Sequence, residues 1–176
     1  QMFNKAIFLD RDGVINEEVN YLHEVDNFIF INGIFEACHH YLKLDYKIII
    51  ITNQSGISRG YYNTNDYQNL TAWMLNQFKN KGISILDTFY CPHIPESNCS
   101  CRKPKPGMFI AAKNKYNIDM ALSWMIGDKE TDSEAAKAAG INNTILLKGA
   151  HQVDNSHSHS RFTIDSLEES KFIITS

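Results

Sequence analysis

Two aspartates directly follow the first apolar run of the chain. Residues 6–9 are Ala-Ile-Phe-Leu, and Asp10, Arg11, Asp12 and Gly13 come next. An apolar run of this length predicts a buried strand, and the glycine predicts the turn that ends it. Ligands of open α/β sheets bind beyond the carboxyl ends of the strands, where both acids would lie. Because two close carboxylates repel each other unless a cation lies between them, the pair indicates either a magnesium site or an ordinary polar strand end.

Polar residues also follow two later apolar runs. The β-branched run 47–51 leads into Thr-Asn-Gln-Ser-Gly at 52–56, a small-residue turn of the kind that can bind an anion. The apolar run 121–126 leads through a glycine into Asp128, which could complete a metal site with the first two acids. Asp132 could enter the same site or cap the next helix. Taken singly, each segment is also typical of a plain strand-to-helix turn.

Three cysteines and a histidine crowd into eleven residues, at Cys91, His93, Cys99 and Cys101. Three thiols and one imidazole at this spacing predict a tetrahedral zinc site, although a cluster of free surface thiols is the simpler alternative. Protein would fill all four positions and leave none for a catalytic water, so the zinc would be structural. The remaining cysteine, Cys38, falls on the apolar face of a predicted helix, as a plain core thiol would.

Two cations and a long polar loop complete the candidate site. Arg102 and Lys103 follow the cysteine cluster directly. They could bind a phosphate group or form a solvated basic patch. The segment 14–30 is polar and lacks periodicity, and long loops inside compact domains are often functional. We expect it to contact a substrate through Asn20 and Tyr21, or otherwise to cover the sheet edge.

The surrounding pattern alternates between strands and helices, which predicts an α/β fold with a parallel sheet. The length of 176 residues predicts one domain, 1–176. The predicted strands are 6–9, 47–51, 83–90, 121–126, 144–147 and 162–164. The predicted helices are 34–44, 67–81 with a cap at Asn65 or Asp66, 108–116, 133–139 and a short one that includes 166–169.

Composition argues against several classes of protein. Hydrophobic residues make up 43% and charged residues 21%, with a net charge of −3, so nothing favours binding to nucleic acid or to a membrane surface. The apolar runs are too short to span a bilayer, and no signal peptide is evident. Clustered thiols indicate a reducing compartment, so we expect a cytoplasmic protein. The polar segment with His151, His157 and His159 is typical of a surface loop, although it could bind metal weakly.

Together the strand-end residues supply acids, a hydroxyl and a cation, which is the equipment of phosphoryl transfer. A carboxylate approaches a phosphate only against repulsion, about 4 kcal/mol for like charges 4 Å apart at intermediate dielectric. A bridging Mg²⁺ with Lys103 opposite would reverse the sign of that interaction.

Four motifs carry a resemblance to a known family. Asp-Arg-Asp-Gly at 10–13, Thr-Asn-Gln-Ser-Gly at 52–56, Arg-Lys-Pro at 102–104 and Gly-Asp-Lys-x-x-Asp at 127–132 resemble the haloacid dehalogenase (HAD) superfamily of phosphatases. Within it, the zinc loop and several flanking segments are similar to the heptose bisphosphate phosphatases. The resemblance implies a Rossmann-like parallel sheet with helices on both faces, a zinc-stabilised loop and no large cap domain. The implied reaction removes the 7-phosphate of D-glycero-D-manno-heptose 1,7-bisphosphate, for nucleotide-activated heptose and lipopolysaccharide synthesis.

The resemblance also assigns roles to individual residues. Asp10 would be the nucleophile that forms an aspartyl-phosphate, and Asp12 the acid and base. Thr52 and Lys103 would hold the phosphoryl group. Asp10, the backbone carbonyl of Asp12, and Asp128 would hold Mg²⁺, and the four zinc ligands would be those named above. The implied substrate-binding residues are Glu18, Val19, Asn20, Tyr21, Asn53, Gln54, Ser55, Arg102 and Lys129.

Alternative functions remain open at this point. Only five residues separate His93 from Cys99, a short spacing that resembles the histidinol-phosphate phosphatases; Ser55 and the Arg59-Gly60 pair argue against them. A nucleic-acid 3′-phosphatase shares two motifs, but the zinc loop and the acidic charge disfavour it. A non-enzymatic receiver domain would carry its acid pair and phosphate acceptor on different strands. A zinc-stabilised interaction module would leave the strand-end motifs unexplained. We expect a monomer acting on a small sugar phosphate.

Overall fold

Within the part of the chain that the structure describes, six parallel strands form one central sheet. The computed structural model describes residues 2–149 and 158–176, so His151 and His157 lie outside the described residues. The strands pair in the order β3-β2-β1-β4-β5-β6. Their bounds are β1 Ala6–Leu9, β2 Lys47–Asn53, β3 Asp87–Cys91, β4 Trp124–Gly127, β5 Asn143–Leu147 and β6 Phe162–Ile164. The predicted α/β class with a parallel sheet is therefore confirmed.

The central strand β1 is apolar throughout because helices cover both faces of the sheet. In β1, Ile7 and Leu9 join one core cluster while Ala6 and Phe8 join the other. The first cluster takes side chains from α1, α2 and α5, and the second from α3 and α4. The helices are α1 Ile34–Lys43, α2 Thr64–Asn80, α3 Gly107–Tyr116, α4 Glu130–Ala138 and α5 Leu167–Ile173.

Two helices begin three residues before the predicted start, and the cap predicted for α2 is wrong. Asn63 caps α2, since its side chain accepts a hydrogen bond from the backbone of Asp66, whose carboxylate in turn accepts one from the Asn63 backbone. Asp66 is thus the partner in a reciprocal capping box and Asn65 is inside the helix. In α4, which begins at Glu130, Asp132 accepts a hydrogen bond from the backbone of Lys129 in the same way.

Two strands are shorter than predicted. β3 begins at Asp87 instead of residue 83. β4 begins at Trp124 because Met120–Leu122 form a turn of 3-10 helix, in which the Asp119 side chain accepts a hydrogen bond from the backbone of Leu122. Asp119 therefore caps this turn as it would cap a helix.

The order in which the chain adds strands to the sheet reverses at β1, and this reversal brings the candidate residues together. The chain steps from β1 to β2 and β3 on one side, and continues through β4, β5 and β6 on the other. Ligands of such sheets bind in the crevice at this switch point, beyond the carboxyl ends of the strands. Asp10 follows β1, Thr52 lies at the end of β2 and Asp128 follows β4.

Only short 3-10 turns interrupt the connections after β1 and β3, at Val25–Asn27 and Pro95–Ser97. Among the described residues, no large cap domain is inserted at either place, as the resemblance implied. None of the helices in the described part of the chain combines the length and apolar character needed to cross a membrane.

Candidate active site

Three buried carboxylates converge beyond the ends of β1 and β4. Oxygen atoms of Asp10, Asp128 and Asp132 all lie within 4.8 Å of one another. The ammonium of Lys103 reaches this cluster from the loop that carries the cysteines; its Nζ lies 2.9 Å from Asp10 Oδ1 and 2.7 Å from Asp132 Oδ1. The same Nζ donates a hydrogen bond of 2.9 Å to the backbone oxygen of Ile51. Of the two possibilities for Asp132, entering the site or capping α4, the structure shows both.

The electrostatics of this cluster favour an added cation. Burial, and then the Asp132 carboxylate, raise the pKa of Asp10 well above its ordinary range, although Lys103 acts in the opposite direction. Burial and Asp132 also raise the pKa of Asp128, to about 6. The pKa of Lys103 is raised, because Asp10 and Asp132 outweigh the effect of its burial. With all groups ionised, three acids and one ammonium leave two negative charges on oxygen ligands, a set that fits a divalent ion such as Mg²⁺.

Glycine at position 13 lets the Asp128 side chain approach the first loop. Gly13 has φ +90°, and a Cβ placed there would lie 2.0 Å from Oδ2 of Asp128. No residue with a side chain fits at this distance. The turn after β1 therefore leaves open the space that the Asp128 carboxylate occupies.

The Asp12 carboxylate does not belong to the three-acid cluster and has its own partners. Oδ1 accepts hydrogen bonds from Arg11, at 2.9 Å, and from Asn16, at 3.0 Å, while Oδ2 accepts one from Gln54 at 3.2 Å. Arg11 is almost fully buried and also donates to the backbone oxygen of Leu22. Asp12 is thus held in one orientation beside the cluster, with 23% of its side chain exposed.

The last two residues of β2 contribute to the site in two different ways. Thr52 is buried, and its hydroxyl accepts a hydrogen bond of 2.9 Å from Gln54. The Asn53 side chain accepts a bond of 3.1 Å from the backbone nitrogen of Lys103 and donates one of 3.3 Å to its backbone oxygen. Asn53 therefore fixes the backbone that carries the buried ammonium.

A cleft of about 420 Å³ opens above Asp10 and Asp12. Such a volume accommodates a small ligand. The cleft is lined by every residue that the sequence predicts to bind substrate: Glu18, Val19, Asn20, Tyr21, Asn53, Gln54, Ser55, Arg102 and Lys129. Whether these residues contact substrate stays a prediction. Asp132, which the sequence offers as a possible site residue, also lines the cleft. The structure adds the lining residues Arg11, Leu22, Gly56, Arg59, Tyr62 and Thr131. Of these, Arg59 and Tyr62 lie a few residues after the predicted anion-binding turn, and that proximity is a signal in the sequence.

Two cations lie at the rim of this cleft. Lys129 pairs with Glu18 at 3.4 Å, and both side chains are about half exposed. Burial acts to lower the pKa of Lys129, but the carboxylates of Glu18, Asp128 and Asp10 together outweigh it and the pKa is raised. Arg102 donates to the backbone oxygen of His93 at 3.3 Å. Such partly exposed contacts are weak enough to be exchanged for a ligand.

The four predicted zinc ligands form one compact group. Their ligand atoms lie within 4.8 Å of one another, and the cysteines form no disulfide. Sulfurs bound to one tetrahedral zinc, each about 2.3 Å from the metal, lie about 3.8 Å apart. Cys91 and Cys99 are 3.7 Å apart, Cys91 and Cys101 are closer at 2.8 Å, and His93 Nδ1 is 3.3 Å from Cys91 and Cys101. The group therefore fits a zinc ion.

This cysteine cluster is connected to the carboxylate cluster through the backbone. Cys91 ends β3, and its carbonyl accepts a hydrogen bond of 2.7 Å from the backbone nitrogen of Gln54. Cys101 is two residues before Lys103. A metal at the cysteines would therefore fix the loop from which the ammonium reaches Asp10.

Comparisons with known proteins agree with this geometry. A family model described as HAD-hydrolase-like matches residues 100–170. A D-glycero-alpha-D-manno-heptose-1,7-bisphosphate 7-phosphatase from Photorhabdus laumondii is 45% identical over 177 residues, which cover 94% of this chain and 97% of the relative. The chain belongs to the heptose bisphosphate phosphatase family. A second member, the D-glycero-beta-D-manno-heptose-1,7-bisphosphate 7-phosphatase of Helicobacter pylori, is 46% identical over 145 residues, covering 82% of this chain and 84% of the relative.

A solved structure shows that the similarity extends to the three-dimensional fold. The D,D-heptose 1,7-bisphosphate phosphatase from B. bronchiseptica, crystallised with magnesium and phosphate, superposes with a TM-score of 0.83 at 28% identity. The match covers 96% of this chain and 97% of that one. The resemblance inferred from the four strand-end motifs is thereby confirmed, and with it the HAD-type Rossmann-like fold.

Proposed function

We propose that the protein is a Mg²⁺-dependent phosphatase that removes the 7-phosphate of D-glycero-D-manno-heptose 1,7-bisphosphate. The observation that carries this proposal is that Asp10 meets both the Asp128 carboxylate and the Lys103 ammonium. Asp10 and Lys103 also line a cleft of cations and polar groups. Relatives of 45% and 46% identity along most of the chain carry this activity in their names.

Asp10, Asp128 and the backbone carbonyl of Asp12 would hold the Mg²⁺. The donors available are all oxygens, which is the ligand type this ion prefers. When bound, the ion neutralises charge on the transferring phosphoryl oxygens, so that a carboxylate can approach them. Asp132 acts differently, because its Oδ1 is paired with the ammonium of Lys103 and Oδ2 with the Lys129 backbone.

Asp10 acts as the nucleophile, and Asp12 acts as the acid and then the base. A carboxylate oxygen of Asp10 attacks the phosphorus of the 7-phosphate, the bond from phosphorus to the sugar oxygen breaks, and Asp12 delivers a proton to that oxygen. Water then attacks the phosphorus of the aspartyl-phosphate, Asp12 takes the proton, and Asp10 and inorganic phosphate are released. Lys103, whose ammonium contacts the nucleophile Asp10, and the hydroxyl of Thr52, at the end of β2, hold the phosphoryl oxygens throughout.

The rest of the cleft recognises the remainder of the substrate. Arg102 and Lys129 supply positive charge at the rim for its remote parts, including the second phosphate. The loop that contains Glu18, Val19, Asn20 and Tyr21 covers the sugar. A monomer is the active unit in this proposal.

Zinc has a structural role in this proposal. Four protein ligands leave no open position at a tetrahedral ion. A site with three thiol ligands requires reduced cysteines, which supports a cytoplasmic location. The product would be a heptose 1-phosphate for nucleotide-activated heptose synthesis and thus for lipopolysaccharide.

The test is a turnover comparison with both anomers of the heptose 1,7-bisphosphate and with histidinol phosphate. We expect the bisphosphate to have the higher kcat/KM and ³¹P NMR to show that the 1-phosphate remains on the sugar. Faster hydrolysis of histidinol phosphate would instead identify an enzyme of histidine synthesis. Loss of the 1-phosphate would show that the sugar binds in the reverse orientation and contradict the proposal.

A further inference from the structure

We propose that Gln54 is a positioning residue, which orients the Asp12 carboxylate and the Thr52 hydroxyl, and that the hydroxyl of Tyr62 fixes the direction of its amide. The inference rests on the proposed function, in which Asp12 is the acid and base and Thr52 holds the phosphoryl group. It changes the role of Gln54, which the sequence places among the residues that contact substrate.

The hydrogen-bonding capacity of the Gln54 amide is already used inside the protein. Its nitrogen donates to Asp12 Oδ2 at 3.2 Å and to Thr52 Oγ1 at 2.9 Å. An amide nitrogen carries two hydrogens, so both are committed. Its oxygen accepts a bond of 2.5 Å from the hydroxyl of Tyr62. With 3% of the residue exposed, the amide has no donor left for a sugar.

The direction of this amide follows from its partners. The carboxylate of Asp12 can only accept hydrogen bonds when ionised, so a reversed Gln54 amide would place oxygen against oxygen. The Tyr62 hydroxyl opposes that reversal because it donates to the amide oxygen. Burial raises the pKa of Tyr62 to about 12, although the nearby Arg11 acts to lower it. The hydroxyl therefore keeps its proton at neutral pH.

The Tyr62 ring is itself held from two sides. A Cβ at Gly56 would lie 2.2 Å from its ring carbon Cε1, so only glycine allows this packing. On another side the His23 ring stacks on Tyr62, with centroids 5.2 Å apart and planes 10° apart. Tyr62 thus connects the loop after β1 with the turn after β2, and its hydroxyl position is fixed by both.

The arrangement has a consequence for the Thr52 hydroxyl. Because this oxygen accepts a hydrogen bond from Gln54, its own hydrogen points elsewhere. The hydrogen bond that the hydroxyl donates among the described residues is a long one, of 3.4 Å, to the backbone oxygen of Asn53. The hydrogen is consequently available to a phosphoryl oxygen, which is what the proposed role of Thr52 requires.

The experiment measures kcat and KM for Gln54→Met, Tyr62→Phe and the double variant. The substrate is the phosphate ester that the wild type hydrolyses fastest, with p-nitrophenyl phosphate in parallel. Tyr41→Phe is the matched control, since its hydroxyl is also buried and also makes a 2.5 Å hydrogen bond, to Ser170. Thermal melts report folding; if Gln54→Met does not fold, Gln54→Glu replaces it, because it keeps the shape and lacks the amide hydrogens.

We expect Gln54→Met to lower kcat about 10- to 100-fold, as small misplacements of reacting groups do, with KM changed less than about threefold. Tyr62→Phe should lower kcat about fivefold in the wild type, the scale of one hydrogen bond, and should have no further effect in the Gln54→Met background. Tyr41→Phe should leave kcat unchanged.

Three results would overturn the inference. A raised KM with unchanged kcat in Gln54→Met would make Gln54 a substrate ligand. Equal losses from Tyr62→Phe in both backgrounds would show that the hydroxyl does not act through Gln54. Full activity of both single variants would show that no positioning is needed. Failure of the wild type on heptose bisphosphate would contradict only the proposed substrate, because the p-nitrophenyl phosphate series still tests Gln54.

Discussion

The ammonium of Lys103 lies 2.9 Å from a carboxylate oxygen of Asp10, although 93 residues separate the two in the chain. Both side chains are buried, and the same ammonium also pairs with Asp132. The contact therefore neutralises part of the charge at the floor of the cleft before any substrate or metal is present. It also gives the proposed nucleophile a fixed orientation.

Replacing Lys103 should unbalance this buried charge. We expect Lys103→Met to abolish turnover and to lower the free energy of unfolding by about 3–5 kcal/mol at neutral pH, because Asp10 and Asp132 lose their partner. Urea unfolding measures this loss. The control Lys115→Met removes an exposed ion pair with Asp87 and should change stability little. Stability of the double variant Lys103→Met/Asp10→Asn should exceed that of Lys103→Met; no recovery would show that charge imbalance is not the cause.

Asp10→Asn should stop the reaction without harming the fold. An amide oxygen is a poor nucleophile, so we expect turnover to fall by about a thousandfold or more, the scale of a lost nucleophile. The melting temperature should not fall, since one of three mutually repelling acids becomes neutral. Phosphate release and thermal melts measure the two effects. A folded Asp10→Asn protein with substantial turnover would reject Asp10 as the nucleophile.

Gly13→Ala should disrupt the metal site through Asp128. The strained φ costs about 1–3 kcal/mol, and the added methyl group would also displace the Asp128 carboxylate. Gly82→Ala is the control, because φ there is +76° and the nearest atom, from His39, is 3.8 Å away. We expect both variants to lose stability but only Gly13→Ala to need more Mg²⁺ for half-maximal activity. The comparison is read from magnesium titrations of activity, and equal magnesium requirements would contradict it.

The raised pKa of Asp128, about 6, predicts how stability depends on pH without Mg²⁺. The folded state holds this proton more tightly than the unfolded state, whose pKa is near 3.8. The associated stability is therefore complete below about pH 4 and is lost as pH rises through about 6. Mg²⁺ should counter that loss, so millimolar MgCl₂ should raise the melting temperature more above pH 6 than below pH 5.

Asp128→Asn is the matched variant for this pH prediction. Since the amide does not ionise, its melting temperature without Mg²⁺ should fall less than that of the wild type between about pH 4 and 7. The two proteins share every other titrating group, so their difference reports Asp128 together with its effect on the pKa of Asp10. Parallel curves for the two would show that Asp128 does not titrate in this range.

The cysteine cluster should hold about one zinc per chain. Burial acts to raise the pKa of Cys99, but hydrogen bonds from Ser97 and from the backbone of Arg102 and Cys101 outweigh it and bring the pKa to about 5, so the thiolate is ready to bind metal. Cys99→Ser should lose the zinc and, because the loop carries Lys103, most of the activity.

Elemental analysis of reduced protein measures the zinc directly. Cys38→Ala is the control, since Cys38 is a free thiol on the buried face of α1. This variant should keep its full zinc content. Absence of zinc from the wild type would contradict the proposed site.

Much of the fold and of the candidate site could be predicted from local sequence. Apolar runs that end in Asp10, Thr52 or Asp128 predict both the strands and the polar groups at their ends, because burial on both faces leaves only the strand ends for chemistry. The spacing of the cysteines predicts their cluster for a similar reason, since four ligands within eleven residues can reach one point. The predicted start of β3 at residue 83 is wrong, because strand propensity does not show where pairing with the neighbouring strand begins.

Other features depend on contacts between distant segments. Asp132 could be a cap or a site residue by sequence, and the approach of Lys103 makes it both. The sequence predicts Gln54 as a substrate ligand, and only the structure shows that its amide oxygen accepts a hydrogen bond from Tyr62.

By itself the sequence determined which residues end the strands, which groups can bind metal and phosphate, and which family the motifs resemble. Only the tertiary structure decided which of those groups face one another. The physical reason is that propensity and burial act over a few residues. The distances among Asp10, Lys103 and Asp132 depend instead on the order in which β1, β2 and β4 pair and on the path of the cysteine loop, and neither is encoded in any single segment.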